Sequence, residues 1–264
     1  VSIADAFTAL STGKAIMPPI LRLDIPEKHG EVDIKSAYVE GFEGFCIKMS
    51  TGFFNNPKRG LPSLGGMMTV LDATTGRVRA VLLDNGYLTD LRTAAAGAVA
   101  ARHLAPRGPV RAGIIGTGIQ ARLQLQALKL VCDISEVRIW GRAPVKAQAL
   151  ADEFPFSLTV VHDADDLVAA SNVIVTTTPA TSPLFGAGAV QPGTHIAATG
   201  SDAPGKNELD PAILHEADLL VCDSPAQCEN SGELRSAIVT GYSGTPIALG
   251  FITSGKNPGR ESAD

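Results

Sequence analysis

The sequence contains few of the residues that build disulfide frameworks or metal sites. Its four cysteines (Cys46, Cys132, Cys222 and Cys228) have no Cys-x-x-Cys spacing, and its five histidines form no His-x-x-x-His pair. We therefore expect no metal site. Free thiols of this kind are typical of a reduced, cytoplasmic protein.

Long apolar runs and an excess of positive charge are also absent. No uninterrupted apolar stretch reaches the roughly 18 residues that a membrane-spanning helix needs, and we expect no signal peptide. The net charge of −5 gives no reason to expect nucleic acid or a membrane as a partner. The 264 residues, of which 45% are hydrophobic, suit one large or two ordinary globular domains.

The most informative stretch is a glycine turn between an apolar segment and an amphipathic segment. Gly116-x-Gly118-x-x-Ala121 fits a dinucleotide-binding fingerprint. The first glycine permits the tight turn, the second lets the backbone approach a pyrophosphate, and the small third residue allows helix and strand to pack closely. The first helical N–H groups then face the phosphates. We assign Gly116, Thr117, Gly118 and Ile119 to cofactor binding, with an ordinary βα turn as the alternative.

The end of the next predicted strand bears on the choice of cofactor. A site that selects NAD normally has Asp or Glu there, about 20 residues after the glycines, to bind the ribose 2′-hydroxyl. This chain has Gly141 and Arg142 instead. Because a guanidinium pairs with a 2′-phosphate, Arg142 favours NADP(H) over NAD(H). A solvated loop arginine is the alternative.

The chain divides into three predicted segments. Residues 1–106 contain a hairpin over 65–83 and an alanine-rich helix over 89–104. Residues 107–235 alternate strands and helices, as a doubly wound, Rossmann-type parallel sheet requires. The predicted strands are 112–115, 137–140, 158–161, 173–177, 195–199 and 219–222. Residues 236–264 form the third segment. The uncapped start at Val1 and the polar end at Asp264 lead us to expect missing residues at both termini.

Three further segments resemble the ornithine cyclodeaminase/μ-crystallin family. They are Lys48 on its predicted strand, Leu91-Arg92-Thr93-Ala-Ala-Ala, and Gly200-Ser-Asp202-Ala-Pro-Gly-Lys206-Asn-Glu208-Leu. The resemblance covers nearly the whole chain. It implies an α/β protein with a Rossmann domain over 107–235 and an α+β substrate-binding and dimerisation domain over 1–106, to which residues 236–264 return. It also implies a homodimer that pairs through an open sheet.

The resemblance implies roles for individual residues. Lys48 and Arg92 would hold the substrate carboxylate, and Lys48 also belongs to the catalytic set. Asp202 would be the catalytic acid/base, because α/β proteins bind ligands at the carboxyl ends of strands and a carboxylate there can exchange a proton with a substrate nitrogen. The implied cofactor contacts are Gln120, Thr178, Thr93 and Ser201.

Each of these residues also has a simpler interpretation. Lys48 could be an exposed strand lysine, and Arg92 could pair with a nearby aspartate at a helix start. Asp202 could be a turn residue before a proline. We interpret Lys206 and Glu208 as loop and helix-entry residues, not as catalysts.

One position departs from the family pattern. Members often have an arginine that helps to bind the carboxylate directly after a double proline, but here Ile20 follows Pro18-Pro19. Residues 20 and 22 share a face on a strand, so Arg22 is the candidate substitute.

Three functions are compatible with these residues. The first is an NAD(P)H-dependent oxidoreductase that reduces a small imino acid, either a cyclic imine such as pyrroline-2-carboxylate or a ketimine. The second is a cyclodeaminase with bound NAD⁺ that releases ammonia from ornithine, against which the absence of an acid near Arg142 counts. The third is a non-catalytic binding protein, against which the intact set of Lys48, Arg92 and Asp202 argues.

Overall fold

The computed structural model describes residues 3–261, which form two compact units that divide between Leu91 and Arg92. This division lies within the alanine-rich helix, upstream of the boundary predicted after residue 106. The predicted features at Val1 and Asp264 lie outside the described residues.

The first unit contains helix α1 (Ile3–Ser11) and a six-stranded antiparallel sheet. The order is β1-β3-β4-β5-β6, and β2 also pairs with β3. The predicted hairpin corresponds to β5 and β6, and Lys48 lies in the middle of β4. The strands are β1 (Ala15–Ile16), β2 (Leu21–Ile25), β3 (Gly30–Val39), β4 (Gly44–Phe53), β5 (Leu64–Asp72) and β6 (Val78–Leu82).

The pairing register gives this sheet two chemically different faces. Residues that pair directly in antiparallel strands project to the same side, and side chains alternate along each strand. Arg22 pairs with Asp33, Asp33 with Ser50, and Lys35 with Lys48. The polar face therefore carries Arg22, Asp33, Lys35, Lys48 and Ser50. The apolar face carries Leu21, Leu23, Ile47 and Met49, whose side chains are exposed within the described unit.

The second unit is built on a five-stranded parallel sheet with the order β11-β10-β7-β8-β9. The chain starts at β7 in the centre of the sheet, adds β8 and β9 on one side, and then adds β10 and β11 on the other side. This order is the predicted doubly wound, Rossmann-type topology. The reversal point lies between β7 and β10. The strands are β7 (Val110–Ile115), β8 (Ile134–Trp140), β9 (Thr159–Val160), β10 (Val173–Thr176) and β11 (His195–Ala198).

Helices cover both faces of the parallel sheet. Ile114 and Ile115 are adjacent in β7 and fully buried, yet they belong to separate apolar clusters on opposite faces. Helices α3 and α4 pack on the Ile114 side, and α5, α6 and α8 on the Ile115 side. The helices are α2 (Tyr87–Leu104), α3 (Ile119–Leu128), α4 (Pro144–Asp152), α5 (Ala164–Ala170), α6 (Pro211–Glu216), α7 (Pro225–Cys228), α8 (Gly232–Val239) and α9 (Leu249–Thr253).

The sixth predicted strand does not join this sheet. Only Val221 and Cys222 are extended (β12), and they pair with β13 (Ile247–Ala248) in a separate two-stranded ladder. The third predicted segment is further attached to the second unit by Arg260, whose Nε donates to the Leu104 carbonyl and whose guanidinium also donates to the Gly193 carbonyl, both at 2.8 Å. The domain assignments 1–106, 107–235 and 236–264 remain predictions.

Candidate active site

The glycine turn lies at the carboxyl end of β7, where the sheet reverses direction. Gly116 has a φ of +127°, and its N–H donates to the Trp140 carbonyl at 2.9 Å. A Cβ at this position would overlap the Thr177 hydroxyl, so only glycine fits between the two strands. Around Gly118, by contrast, a Cβ would meet no heavy atom within 4 Å. The turn thus combines a tight backbone path with open space at the start of α3, which is the shape that a pyrophosphate requires.

The residues after these glycines begin α3. Ile119 is exposed, Gln120 is half-buried, and Ala121 is fully buried against the sheet. Thr117 is half-buried, and its methyl group occupies the place that a side chain at Gly141 would need. The turn is therefore adjacent to the end of β8.

Arg142 is exposed directly after β8 and precedes the first residue of α4, Pro144. The residues Gly141–Arg142–Ala143 of this loop contain no carboxylate. The loop therefore presents a positive charge and no carboxylate to accept from a ribose hydroxyl.

The ends of β10 and β11 carry the second part of the site. Thr178 follows β10, and Ser201 and Asp202 follow β11, its parallel neighbour. Both ends lie at the same edge of the sheet as the glycine turn, because the carboxyl ends of parallel strands share an edge. The side chains of Thr178 and Ser201 are half-buried, whereas Asp202 is 71% exposed.

Asp202 forms an ion pair instead of a simple turn interaction. The Lys206 ammonium lies 2.5 Å from its Oδ1, four residues along the loop. The lysine is the less exposed partner, at 22%. An exposed pair of this kind contributes only about 0–1 kcal/mol to stability. The pair places an ammonium beside the Asp202 carboxylate, a contact that the sequence did not predict for Lys206.

Glu208, which the sequence analysis assigned to helix entry, is fully buried. Its carboxylate accepts hydrogen bonds from the Thr178 N–H at 2.6 Å, the Thr176 hydroxyl at 2.7 Å and the Gly200 N–H at 2.9 Å. Burial raises the pKa of the Glu208 carboxyl, while hydrogen bonds from Thr178, Thr176 and Gly200 act in the opposite direction.

A second carboxylate that the sequence analysis missed contacts the same loop. Glu233, in the first turn of α8, accepts from the Ser201 hydroxyl, from the Glu208 N–H at 2.7 Å and from the Leu209 N–H at 3.1 Å. No sequence motif marks Glu233, because its partners are separated from it by 24 or more residues.

Two candidate residues lie in α2. Arg92 is exposed, and Thr93 is half-buried. The Thr93 carbonyl accepts from the side-chain amide of the buried Gln124 in α3 at 3.1 Å, so α2 and α3 are connected near Thr93.

The first unit places Lys48 and Arg22 on its polar face. Lys48 is half-buried between the exposed Ile47 and Met49, which project to the other side. Arg22 is engaged by carboxylates of its own unit: Nε lies 2.9 Å from Asp24, and the guanidinium contacts Glu31 at 2.6 Å and Asp33 at 3.6 Å. Arg22 would have to exchange one of these contacts to bind a substrate carboxylate.

Within residues 3–261, no helix is both long and apolar enough to cross a membrane. The same part of the chain contains no group of three or more His, Cys, Asp or Glu residues suited to a metal ion.

The fold is that of a protein with a Rossmann-type unit and a separate antiparallel β unit. Residues 2–264 match the model of the ornithine cyclodeaminase/mu-crystallin family, and the chain belongs to this family.

Relatives and solved structures agree with this membership. An uncharacterized cyclodeaminase, y4tK of Sinorhizobium fredii, is 51% identical over 97% of this chain and 80% of its own length. The Δ1-pyrroline-2-carboxylate reductase of Thermococcus litoralis, solved with NADH and L-proline, superposes with a TM-score of 0.91 at 28% identity, over 99% of this chain and 83% of that one. An archaeal alanine dehydrogenase dimer with bound NAD superposes with a TM-score of 0.90 at 34% identity, over 99% and 81%.

Proposed function

We propose that this protein is an NAD(P)H-dependent oxidoreductase that reduces the C=N bond of a small imino acid to give an amino acid. Oxidoreductase activity on such groups is supported by the family and by the pyrroline-2-carboxylate reductase with which the chain superposes. One observation carries the proposal: the glycine turn and the loop with Asp202 lie at the same edge of one parallel sheet. A dinucleotide-binding turn and a proton donor both belong at this edge.

The residues of the second unit suit the binding of a dinucleotide. The open space at Gly118 and the first N–H groups of α3 fit a pyrophosphate, and Thr93, Gln120, Thr178 and Ser201 are the proposed further contacts. A bound reduced nicotinamide would supply a hydride to the imine carbon. Asp202 is the proposed acid that delivers a proton to the imine nitrogen, so that hydride and proton together convert C=N to CH–NH.

Lys48 and Arg92 are the proposed ligands of the substrate carboxylate. Both are cationic, and charge-assisted hydrogen bonds to a carboxylate orient the substrate before reaction. Arg22 is the weaker candidate, because Asp24 and Glu31 already occupy its guanidinium. A cyclic imine such as pyrroline-2-carboxylate and an acyclic ketimine both provide the required carboxylate beside a C=N carbon.

NADP(H) is the proposed cofactor, with NAD(H) as the alternative. The support is Arg142, exposed after β8 in a loop without a carboxylate. Because solved relatives contain NADH or NAD, the activity assay has to include NADH as well as NADPH.

We further propose a cytoplasmic homodimer. The apolar face of the first unit exposes Leu21 to 59% and Leu23 to 55%, and exposed apolar residues side by side are typical of a protein–protein interface. The alanine dehydrogenase structure with which the chain superposes is a dimer. The mass of the purified protein in solution, measured by light scattering, tests this assembly.

The deciding experiment follows the absorbance of the reduced nicotinamide with NADPH and then with NADH, against cyclic and acyclic imino acids. Stoichiometric oxidation with one of them supports the proposed reductase and identifies the substrate class and cofactor. Ammonia release from ornithine with NAD⁺, without net oxidation, would instead make the protein a cyclodeaminase. Cofactor binding without turnover of any substrate would favour a binding protein and refute the proposal.

A further inference from the structure

The loop that carries Asp202, residues 200–209, is attached to the body of the second unit at both ends. The Ser201 hydroxyl near its start and the N–H groups of Glu208 and Leu209 at its end donate to Glu233 in α8. The Gly200 N–H donates to the Glu208 carboxylate and so closes the loop on itself. Asp202 lies between these attachments. We call residues 200–209 the Asp202 loop.

Glu208 connects this loop to the neighbouring strand. One carboxylate oxygen, Oε1, accepts from the Thr178 N–H, and the other, Oε2, accepts from the Gly200 N–H and the Thr176 hydroxyl. The approach is close enough that a Cβ at residue 200 would overlap both the Thr178 backbone and the Glu208 carboxylate. Each oxygen thus has its own backbone donor, on the ends of β10 and β11 respectively.

Glu233 holds the same loop from the helical side. Its Oε1 accepts from the Ser201 hydroxyl and the Glu208 N–H, and its Oε2 accepts from the Leu209 N–H. The backbone of Glu208 is therefore bound by Glu233 while its side chain binds the strand ends. Glu233 of α8 thus binds the backbone of Glu208, and Glu208 in turn binds the edge of the sheet.

We propose that Glu208 and Glu233 are positioning residues, which hold the Asp202 loop and the Thr178 backbone in the arrangement needed for hydride and proton transfer. This inference rests on the proposed function, in which Asp202 is the proton donor and Thr178 and Ser201 contact the cofactor. Neither glutamate touches the reacting atoms. Their role is to keep the donor within the small tolerance that catalysis allows, because a displacement of about 1 Å can cost about 100-fold in rate.

Glu208→Gln is the sharpest test. Glutamine has one oxygen and one NH₂ group, so it cannot accept from the Thr178 and Gly200 N–H groups with two different atoms. Glu229→Gln is the matched control, since it removes a carboxylate from an exposed position on a neighbouring segment. Glu233→Gln tests the second carboxylate.

The first measurement is amide hydrogen exchange of the ligand-free protein, which needs no knowledge of substrate or cofactor. We expect exchange at residues 178 and 200 to become about tenfold faster or more in Glu208→Gln, and to stay unchanged in Glu229→Gln. Unchanged exchange in Glu208→Gln would overturn the proposal, because the carboxylate would then not hold these groups.

The second measurement compares cofactor affinity and turnover at a temperature where every variant is folded. NADPH binding is followed through the fluorescence of Trp140, the one tryptophan of the chain, whose carbonyl accepts from the Gly116 N–H of the glycine turn. We expect Kd to rise about tenfold and kcat to fall about 100-fold in Glu208→Gln. A lower Tm with normal Kd and kcat would overturn the positioning role and leave only a structural one.

The proposed function fails separately. It fails if Asp202→Asn retains full activity, or if the parent protein binds neither NADPH nor NADH. In either case hydrogen exchange alone still decides whether Glu208 holds the loop.

Discussion

Acidification below about pH 6.5 should destabilise the second unit through His195. This histidine begins β11 and is only 8% exposed, and its Nε2 has no hydrogen-bond partner among residues 3–261. Burial, with a smaller contribution from the positive charge of Arg260, lowers its pKa from 6.5 to about 4. Between pH 6.5 and pH 4, His195 is therefore protonated in the unfolded chain and neutral in the folded protein. Its contribution to stability is complete above pH 6.5 and is lost as the pH falls toward 4.

The size of the effect follows from this pKa difference. A fall from 6.5 to about 4 corresponds to roughly 3 kcal/mol in the free energy of unfolding, of which about 2 kcal/mol is lost by pH 5. Urea unfolding followed by circular dichroism at about pH 7 and pH 5 measures this loss. A His195→Gln variant cannot titrate at this position. Its loss of unfolding free energy between pH 7 and pH 5 should therefore be about 2 kcal/mol smaller than that of the parent protein.

His162→Gln is the control, because it removes an exposed histidine from the same unit. Its pH dependence should match that of the parent protein. If His195→Gln loses as much stability as the parent between these pH values, proton exclusion from His195 is not the cause and the reasoning fails.

Three substitutions test the proposed cofactor and proton sites. Arg142→Asp should raise the Kd for NADPH relative to that for NADH by about tenfold or more, and an unchanged ratio would remove Arg142 from 2′-phosphate binding. Asp202→Asn should lower kcat by about 100-fold while cofactor affinity stays close to that of the parent, so equal activity would exclude it as the proton donor. Gly116→Ala should abolish cofactor binding and cost about 1–3 kcal/mol of stability, because its Cβ would overlap the Thr177 hydroxyl at a positive φ. Gly188→Ala, where a Cβ meets nothing within 4 Å, is the control, and normal cofactor binding by Gly116→Ala would contradict the assignment of this turn.

The parallel sheet could be predicted because its signals are local. A short apolar strand, a glycine turn and an amphipathic helix follow one another over residues 110–128, and each is recognised from neighbouring residues. Strand β3 of the first unit was missed, although Val32 and Ile34 alternate with the charged residues Glu31, Asp33 and Lys35 in the period that strands require. The three charged residues concealed the strand.

The contacts of Glu208 and Glu233 could not have been predicted in the same way. The carboxylate of Glu208 binds Thr176, the last residue of β10, and Thr178, which follows this strand. Both partners lie about 30 residues away in sequence, so the burial of Glu208 depends on the folded sheet. The sequence motif marked Glu208 but gave no reason for its burial. The predicted strand at 219–222 failed for a related reason, since its partner β13 lies beyond the segment in which strands and helices alternate.

The two faces of the first unit limit where the chain can change length. One residue inserted into β4 before Lys48 would move its ammonium to the side now occupied by Ile47 and Met49. One extra residue is accommodated in β6 instead, because Val70 and Leu71 of β5 pair with Ala80 and Val78 and leave Arg79 without a partner in the register. In members of the family that retain this lysine, we expect insertions and deletions to occur in the connections between strands, and changes within β4 to come in pairs of residues.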